Sequence, residues 1–310
     1  MSSTPSPEDF GLTPNTPVHK YQDVHHFSEM VFREFKLLQS RQDSSQYVIF
    51  TDLDQERFSR DFQDHTDALA IESYFPRLQI LMAKIETVTH ANAADDFGIM
   101  FMEKPCLMKI DRRQLIKIST ASIETDERSK RADRAYKPRR LPKYRDQRWP
   151  TLVVEVGYTE VRRKLANDTR WWLTASNGDV KTVVTISINQ KYREITFEKW
   201  GPNTEAPEQP VVLQSIQVQQ DADLQHIKIS GKCPLVLSFE AIFLRHPQTA
   251  CETDIEFSQD ELEKFAVDTW DVQAVFSQTF SRNTSPEFIA ANCGIRASNL
   301  CLRATPPPNA

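Results

Sequence analysis

Hydrophobic positions along the chain predict alternating helices and strands. Between residues 18 and 38, apolar side chains recur at helical spacing, and residues 47–50 indicate a short strand or a buried turn. A second helical pattern covers residues 66–90, although Pro76 interrupts it. Residues 99–120 indicate short strands, of which 115–118 is the clearest. These patterns predict an N-terminal portion that is mainly helical.

The centre of the chain has the pattern of a parallel strand–helix–strand unit. Residues 151–156 form a nearly continuous apolar run, which is typical of a strand that is buried on both faces. A helix is expected over 159–175 with Thr159 as its N-cap, followed by a strand over 180–188 and a hairpin partner over 192–200. This order implies a right-handed crossover between two parallel strands.

The remaining segments complete the predicted domain organisation. Strand-like runs at 211–219, 225–230 and 235–244 indicate an antiparallel extension, and Ser258 with Glu261 fits a capping box that begins a helix. The two ends are polar and rich in proline, which favours disorder. We therefore expect one α/β domain over 18–280, with a core at about 110–200, a β-rich extension over 201–257, a helix over 258–276, and disordered tails at 1–17 and 281–310.

Charge is distributed unevenly along the chain. The net charge is −5, so the protein as a whole is not a basic nucleic-acid binder. Residues 128–148 nevertheless contain seven arginines and three lysines against two aspartates, a net charge of +8. We expect a long loop here that binds the phosphate backbone of a nucleic acid. The candidate contacts are Arg131, Arg134, Lys137, Arg139 and Arg140. A solvated basic loop without a ligand is the alternative.

Cysteine usage and the absence of targeting patterns predict an intracellular protein. The five cysteines form no CxxC pair and show no zinc-ligand spacing, which favours free thiols in a reducing compartment. The first residues lack the apolar core of a signal peptide, and no run of about 18 apolar residues predicts a membrane span. We expect a cytoplasmic or nuclear location, and the oligomeric state stays open.

A single acidic residue in the buried central strand indicates where chemistry could occur. Glu155 interrupts the apolar run, and a buried carboxylate is costly unless it is paired, protonated or bound to a cation. Asp133 lies 22 residues upstream. Two acids that converge at the end of a sheet can bind Mg²⁺, which activates water for attack on a phosphodiester.

The residues around Glu155 resemble a known superfamily. The stretch 149–160, continuing through 168–173, resembles the core of a group of uncharacterised fungal proteins, which are in turn similar to Uma2-type endonucleases of the PD-(D/E)xK superfamily. Ala132 and Asp133 would match the PD pair, and residues 155–157 would match (D/E)xK. The resemblance implies a restriction-endonuclease-like three-layer core with a mixed sheet, N-terminal helices and a C-terminal antiparallel extension.

The match departs from the superfamily pattern at two positions. Ala132 replaces the proline, and Gly157 replaces the lysine, so the motif itself supplies no positive charge. Members of the superfamily can recruit the lysine from the following helix. On a helical wheel, Lys164 flanks the buried face and Asp168 lies on it. Lys164 is therefore the candidate substitute, and the alternative, which the spacing favours, is that it forms only an i,i+4 pair with Asp168.

Three functional hypotheses follow. The first is a metal-dependent nuclease in which Asp133 and Glu155 bind Mg²⁺ and Lys164 stabilises the transition state. The second is a catalytically inactive nuclease-like scaffold that binds nucleic acid or protein. The third is an interaction protein that never contacts nucleic acid, for which charge reversal across 128–148 would leave binding unchanged.

Overall fold

The computed structural model describes residues 5–40, 45–62, 70–118, 122–158, 162–189, 191–206, 208–221, 223 and 226–280. Its α-helices are α1 (Val24–Ser40), α2 (Gln55–Phe62), α3 (Val88–Leu107), α4 (Arg162–Ala175), α5 (Phe239–Phe243) and α6 (Gln259–Phe280). Its strands are β1 (Val18–Lys20), β2 (Tyr47–Thr51), β3 (Ile71–Phe75), β4 (Ile80–Lys84), β5 (Leu115–Ile118), β6 (Ile123–Glu124), β7 (Ser129–Lys130), β8 (Arg134–Pro138), β9 (Leu152–Tyr158), β10 (Thr182–Ile188), β11 (Glu194–Gly201), β12 (Val211–Gln220), β13 (Ile227–Gly231), β14 (Leu235–Leu237) and β15 (Ile255–Phe257). The expected α/β class is confirmed.

Two mixed sheets carry most of these strands. The first has the order β1-β2-β4-β3-β7-β6, and the second has the order β13-β12-β11-β10-β9-β8-β5. Within the described strands, the parallel pairs are β1 with β2 and β9 with β10. A further small sheet pairs β14 with β15.

Helices cover both faces of the seven-stranded sheet and make a three-layer core. On one face, Val154 and Val156 of β9 pack with residues of α3 and α6, including Phe97 and Phe265. On the other face, Val153 packs with Trp172 of α4. Alternate residues of β9 therefore face different helices, as expected for a strand that is buried on both sides.

The predicted strand–helix–strand unit is confirmed. Strands β9 and β10 are parallel, with Glu155 opposite Thr185, and α4 connects them. Helix α4 buries the face that the wheel predicted, including Leu165, Asp168 and Trp172. Thr159, the expected N-cap, lies outside the described residues.

The prediction of a helix over 66–90 is wrong for residues 70–87. Strands β3 and β4 form an antiparallel hairpin instead. Pro76 lies in the turn between them, where Gln79 has a φ of 55°. The consecutive apolar residues 80–83 are all fully buried, as in a central strand. Helix α3 begins after this hairpin, where the Thr87 side chain accepts a hydrogen bond from the His90 N–H. The helix extends to residue 107, so the short strands expected from residue 99 onward do not form before that point.

The basic stretch 128–148 is not one long loop. It contains β7 and β8, and three of its cationic residues point inward: Arg128, Lys130 and Arg145 are all buried. Each finds acceptors inside the protein, which is what allows a charged side chain to be buried. Less of the +8 charge therefore reaches the surface than the sequence suggests.

The ends of the chain differ from the expected tails where the structure describes them. Residues 7–10 form a 3-10 helix, and Leu12 is buried. Gly11 approaches α4 so closely that an added Cβ would lie 2.8 Å from backbone atoms of Arg163 and Lys164. This contact orders a segment whose composition indicated disorder. The expected tail at 281–310 lies outside the described residues.

The C-terminal extension is confirmed in part. Strands β12 and β13 continue the seven-stranded sheet in antiparallel fashion. The expected strand over 235–244 is shorter, because Ser238 caps the short helix α5. The capping box of α6 is confirmed by reciprocal bonds between Ser258 and Glu261. None of the helices described here has the length and apolar character needed to cross a membrane.

Candidate functional site

Glu155 is paired inside the protein. It lies in the middle of β9 and is 1% exposed. One carboxylate oxygen accepts a 2.6 Å hydrogen bond from the Trp172 indole nitrogen and lies 3.3 Å from the Lys130 ammonium. Trp172 comes from α4 and Lys130 from β7, so two other elements supply the partners that a buried carboxylate needs.

Lys130 connects Glu155 to a larger group of buried charges. Its ammonium donates to Glu72 and, at 3.0 Å, to Asp168. Lys164 donates to Glu72 at 3.0 Å and to both oxygens of Asp168 at 2.6 and 2.7 Å. Arg128 donates to Asp168 at 2.7 Å and to Glu72 at 3.3 Å. We call these six residues the central ion cluster: Glu72, Arg128, Lys130, Glu155, Lys164 and Asp168.

The central ion cluster is electrically balanced when all its members are charged, since three carboxylates face three cations. Burial alone would raise the pKa of Asp168, but Lys130, Lys164 and Arg128 hold it well below its usual range. Glu155 differs, because burial raises its pKa to about 7 despite the attraction of Lys130. The cluster thus contains one carboxyl group that changes its charge near neutral pH.

Asp133 belongs to a second buried group next to this cluster. Its oxygens accept from the Lys84 ammonium at 2.8 and 3.0 Å and from the Val156 backbone N–H at 2.7 Å. Lys84 also donates to the Val156 carbonyl at 2.8 Å, and His90 Nε2 lies 3.2 Å from Asp133 Oδ1. Burial opposes ionisation of Asp133, but Lys84 and His90 hold its pKa well below the usual value. We call Lys84, His90 and Asp133 the Asp133 cluster.

The two acids predicted to bind a metal lie near each other. Pairing of β8 with β9 begins with Arg134 opposite Val154, which brings Asp133 to the level of Glu155. The charge of Asp133 also raises the pKa of Glu155. Their role as metal ligands stays a prediction.

Lys164 is buried in the central ion cluster, and its catalytic role stays a prediction. Its described hydrogen bonds go to Glu72 and Asp168, so the i,i+4 pairing with Asp168 is present. The lysines that reach Glu155 and Asp133 are Lys130 and Lys84.

The sequence contains a pattern that could have identified Glu72 and Lys84, two buried charged residues that were not predicted. Glu72 lies within the buried part of β3, and Lys84 ends the apolar run of β4. This is the same pattern that identified Glu155. The helical interpretation of 66–90 hid it, because a helix has a solvent-facing side on which charged residues need no explanation.

The residues predicted to bind nucleic acid lie at opposite ends of β8. Arg134 binds Asp95 and the Asp133 carbonyl, so it lies beside the Asp133 cluster. The Arg131 backbone N–H donates to the Glu72 backbone carbonyl, so Arg131 lies beside the central ion cluster. Lys137 donates to the Gln147 carbonyl. Arg139 and Arg140 are exposed beyond the far end of the strand.

Two groups of side chains within the described ranges have atoms placed to share a metal ion. Ligand atoms of Glu86, His90 and Asp133 all lie within 4.8 Å of one another, and so do those of Asp221, Asp223 and His226. The first group is largely buried and includes a predicted metal ligand, whereas the second is exposed.

Comparisons with known proteins give a structural likeness but no match to a family model or a curated sequence. No protein-family model matches the chain, and no curated protein matches its sequence. A crystal structure described as a candidate nuclease of the DUF820 family, from Anabaena variabilis, aligns with 67% of this chain and 97% of its own. The TM-score is 0.37 and the identity is 10%. DUF820 is the Uma2-type family that the sequence resembles, but this likeness is too distant to assign a role to any residue.

Proposed function

We propose that this protein is a nuclease-like scaffold that binds nucleic acid through an exposed basic surface and does not hydrolyse it. The observation that supports the proposal is the internal pairing of both expected catalytic acids. The Lys84 ammonium lies against Asp133, and Lys130 with Trp172 lies against Glu155. Metal-assisted hydrolysis requires carboxylates that are available to a metal and to its bound water.

Burial of the acids supports the same conclusion. Glu155 is 1% exposed and Asp133 is 8% exposed. A phosphodiester has to approach within a few ångströms of the metal ligands, because a general base or nucleophile acts at about 2.6–3.5 Å. Trp172 and Lys130, both almost fully buried, occupy the contacts around Glu155.

An exposed patch of cations provides the binding surface. We define the basic surface as Arg112, Arg113, Arg139, Arg140 and Lys143, all of which are exposed. The β5–β8 pairing joins its two halves: the Arg139 N–H donates to the Gln114 carbonyl, and its guanidinium donates to the Arg113 carbonyl. Asp111, which binds Arg113, is an acid beside the patch. The excess of positive charge favours a phosphate backbone.

The basic surface lies away from the buried acids. Arg139 is six residues beyond Asp133 along the direction of β8, which corresponds to about 20 Å at the rise of an extended strand. Nucleic acid on this surface therefore binds without requiring the Asp133 cluster, so binding should not depend on a divalent metal.

Fluorescence anisotropy with labelled DNA and RNA oligonucleotides tests this proposal. We expect affinity to fall steeply with salt and to be unchanged by EDTA. The double variant Arg139→Glu/Arg140→Glu should weaken binding by about tenfold or more, because it removes two phosphate contacts and adds repulsion. The matched control is Lys228→Glu/Lys232→Glu, which makes the same charge change on exposed residues near β13. Equal loss in both variants, or binding abolished by EDTA, would contradict the proposal.

A metal-dependent nuclease is the second candidate. The specific observation in its favour is that Asp133 and Glu155 lie side by side on paired strands. In this alternative both carboxylates would bind Mg²⁺ after release from Lys84 and Lys130, and Lys164 would have to leave Glu72 and Asp168 to steady the phosphorane. Metal-dependent cleavage that is lost in Glu155→Gln would favour it.

A further inference from the structure

The first 17 residues contain a repeated dipeptide that the proposed function does not use. A serine or threonine stands directly before proline at Thr4, Ser6, Thr13 and Thr16. Proline restricts the residue before it to an extended conformation. Extended Ser-Pro and Thr-Pro segments are the substrates of proline-directed protein kinases, so the repeat supplies candidate phosphorylation sites. Thr4 lies outside the described residues.

The three dipeptides that the structure describes differ in the accessibility of their hydroxyl groups. Ser6 is exposed and extended, with φ −83° and ψ 162°. Thr13 is half-buried, and its Oγ1 lies 3.3 Å from that of Thr16. Thr16 is 4% exposed, and its hydroxyl also contacts Ser45 Oγ at 3.2 Å. A kinase can therefore reach Ser6 in the folded protein, whereas Thr13 and Thr16 become accessible only when this part of the chain leaves its place.

Residues 5–17, which we call the N-terminal segment, pack on two elements of the fold. Leu12 is buried in an apolar cluster with residues of β2 and β4, namely Tyr47, Ile49, Ile80 and Met82. Gly11 lies against the backbone at the start of α4. The Pro17 carbonyl accepts from the Ile49 N–H. Release of the segment therefore uncovers both the first sheet and α4.

Ser6 itself holds the start of the N-terminal segment. Its backbone N–H and its hydroxyl donate to Asp9 Oδ2 at 2.8 and 3.2 Å, which closes the 3-10 helix of residues 7–10. A phosphate on Ser6 removes the hydroxyl donor and places about two negative charges beside the Asp9 carboxylate. Like charges at this distance repel, and a four-residue helix has too few aligned peptide groups to offset the repulsion. Phosphorylation therefore opposes the conformation in which the segment packs.

We infer that Ser6 is the first site of a proline-directed kinase, and that its phosphorylation releases the N-terminal segment and so makes Thr13 and Thr16 accessible in turn. The kinase transfers the γ-phosphoryl group of ATP to Ser6 Oγ. The new P–O bond forms as the bond between the γ-phosphorus and the β–γ bridging oxygen breaks. The hydroxyl proton passes to the catalytic base of the kinase, and ADP leaves.

Phosphorylation of the inner sites keeps the segment released. Thr16 Oγ1 is buried beside the hydroxyls of Thr13 and Ser45, which offer no positive charge. Burying a phosphate there would leave its charge without a partner, which is costly. A segment that carries phosphate on Thr16 therefore cannot return to its place on the first sheet.

The order of phosphorylation in the full chain tests the inference. The protein is incubated with ATP, Mg²⁺ and a mitogen-activated or cyclin-dependent kinase, and each site is followed in time by mass spectrometry. Ser6 should be modified first, and Thr13 and Thr16 should follow on molecules that already carry phosphate on Ser6. In Ser6→Ala, phosphorylation of Thr13 should be about tenfold slower or more, because it depends on spontaneous local unfolding. Ser6→Glu should restore part of the rate, since it supplies one negative charge.

A synthetic peptide of residues 1–17 separates the effect of the fold from the preference of the kinase. A kinase is chosen that modifies Ser6, Thr13 and Thr16 in this peptide. Ser6→Ala should leave the phosphorylation of Thr13 in the peptide unchanged, because no packing protects it there. If Ser6 is not modified in the folded protein, or if Ser6→Ala leaves the rates at Thr13 and Thr16 unchanged in the protein, the inference is overturned.

Hydrogen exchange measures release of the segment directly. The Gly11 and Thr16 amides, which donate to the Glu8 and Thr13 carbonyls, should exchange about tenfold faster or more after Ser6 is phosphorylated. The variant Asp9→Asn keeps an oxygen that accepts from Ser6 but carries no charge, so it should reduce this acceleration.

The exchange experiment has a matched control elsewhere on the surface. Thr249→Glu introduces a negative charge at an exposed residue outside the N-terminal segment and should leave the exchange of Gly11 and Thr16 unchanged. Equal exchange before and after phosphorylation of Ser6 would overturn the inference. Nucleic-acid binding by the basic surface is a separate property, which neither outcome decides.

Discussion

Glu155 couples its protonation to folding. Burial raises its pKa from 4.5 to about 7, so the folded state retains a proton that the unfolded state releases between these values. The stability that protonated Glu155 contributes to the folded state is fully present below about pH 4.5 and is lost as pH rises through about 7. Asp133 and Asp168 act in the opposite sense, because their pKa values are lowered and their contribution is lost only in acid.

Replacing Glu155 with glutamine should flatten the pH dependence of stability. The amide keeps the shape of the carboxyl group and can still accept from Trp172, but it does not titrate. Between pH 5 and 8, the free energy of unfolding of the wild-type protein should fall by about 2 kcal/mol more than that of Glu155→Gln. Urea denaturation across this range measures it, with exposed Glu256→Gln on β15 as control. Parallel curves for wild type and Glu155→Gln would contradict the assignment.

Replacing Asp168 should lower the stability of the folded protein, whereas replacing Glu155 should change mainly its pH dependence. The substitution Asp168→Asn leaves Lys130, Lys164 and Arg128 with one carboxylate fewer in a buried setting. Removing one member of a buried ionic group costs about 3–5 kcal/mol. Chemical denaturation should show this loss, whereas exposed Asp271→Asn on α6 should change stability by less than about 0.5 kcal/mol. A small effect of Asp168→Asn would mean that the central ion cluster contributes little to the fold.

At the scale of single residues, the sequence identified the unusual position but not its partners. Glu155 was identified because one acid interrupts an apolar strand. Its partners Lys130 and Trp172 come from different elements, and only the packing of β7 and α4 against β9 brings them together. The prediction for Lys164 depended on local helical spacing. That spacing placed it correctly beside Asp168 but gave no information about Glu72, which lies 92 residues away in sequence.

At the scale of elements, long patterns were predicted better than short ones. The β9–α4–β10 unit has a seven-residue buried strand on each side of a 14-residue helix, so its periodicity is clear. Strands β3 and β4 have five residues each, and their combined apolar positions also fit a helix. The turn at Pro76 decides between the two structures, and it was interpreted as a helix interruption.

Alanine substitutions at Gly11 and Gly178 test whether the N-terminal segment packs on α4. Gly11 has a φ of +79° and lies against the α4 backbone, whereas Gly178 has a φ of +80° with nothing within 4 Å of an added Cβ. Both alanine variants should therefore incur a backbone cost of about 1–2 kcal/mol, but only Gly11→Ala adds a clash. Thermal denaturation should show the larger loss for Gly11→Ala. Equal losses would mean that the segment does not pack on α4.

At the scale of the whole molecule, the cations of the basic stretch fall into an inward group, which neutralises buried acids, and an outward group at the surface. The inward members of the basic stretch, Arg128 and Lys130, neutralise buried acids and join the two large sheets through α4. The outward members, Arg139 and Arg140, extend beyond β8 at the surface. Total charge along the sequence could not distinguish these groups, because their separation depends on strand direction and pairing.

A cleavage assay distinguishes a protein that binds nucleic acid without cutting it from a metal-dependent nuclease. Supercoiled plasmid and labelled RNA should be incubated with Mg²⁺ or Mn²⁺ at protein concentrations at which anisotropy shows binding. We expect intact substrate in every reaction, with wild type and Glu155→Gln indistinguishable, because internal lysines pair with both acids. Metal-dependent nicking by the wild-type protein that disappears in Glu155→Gln would contradict it.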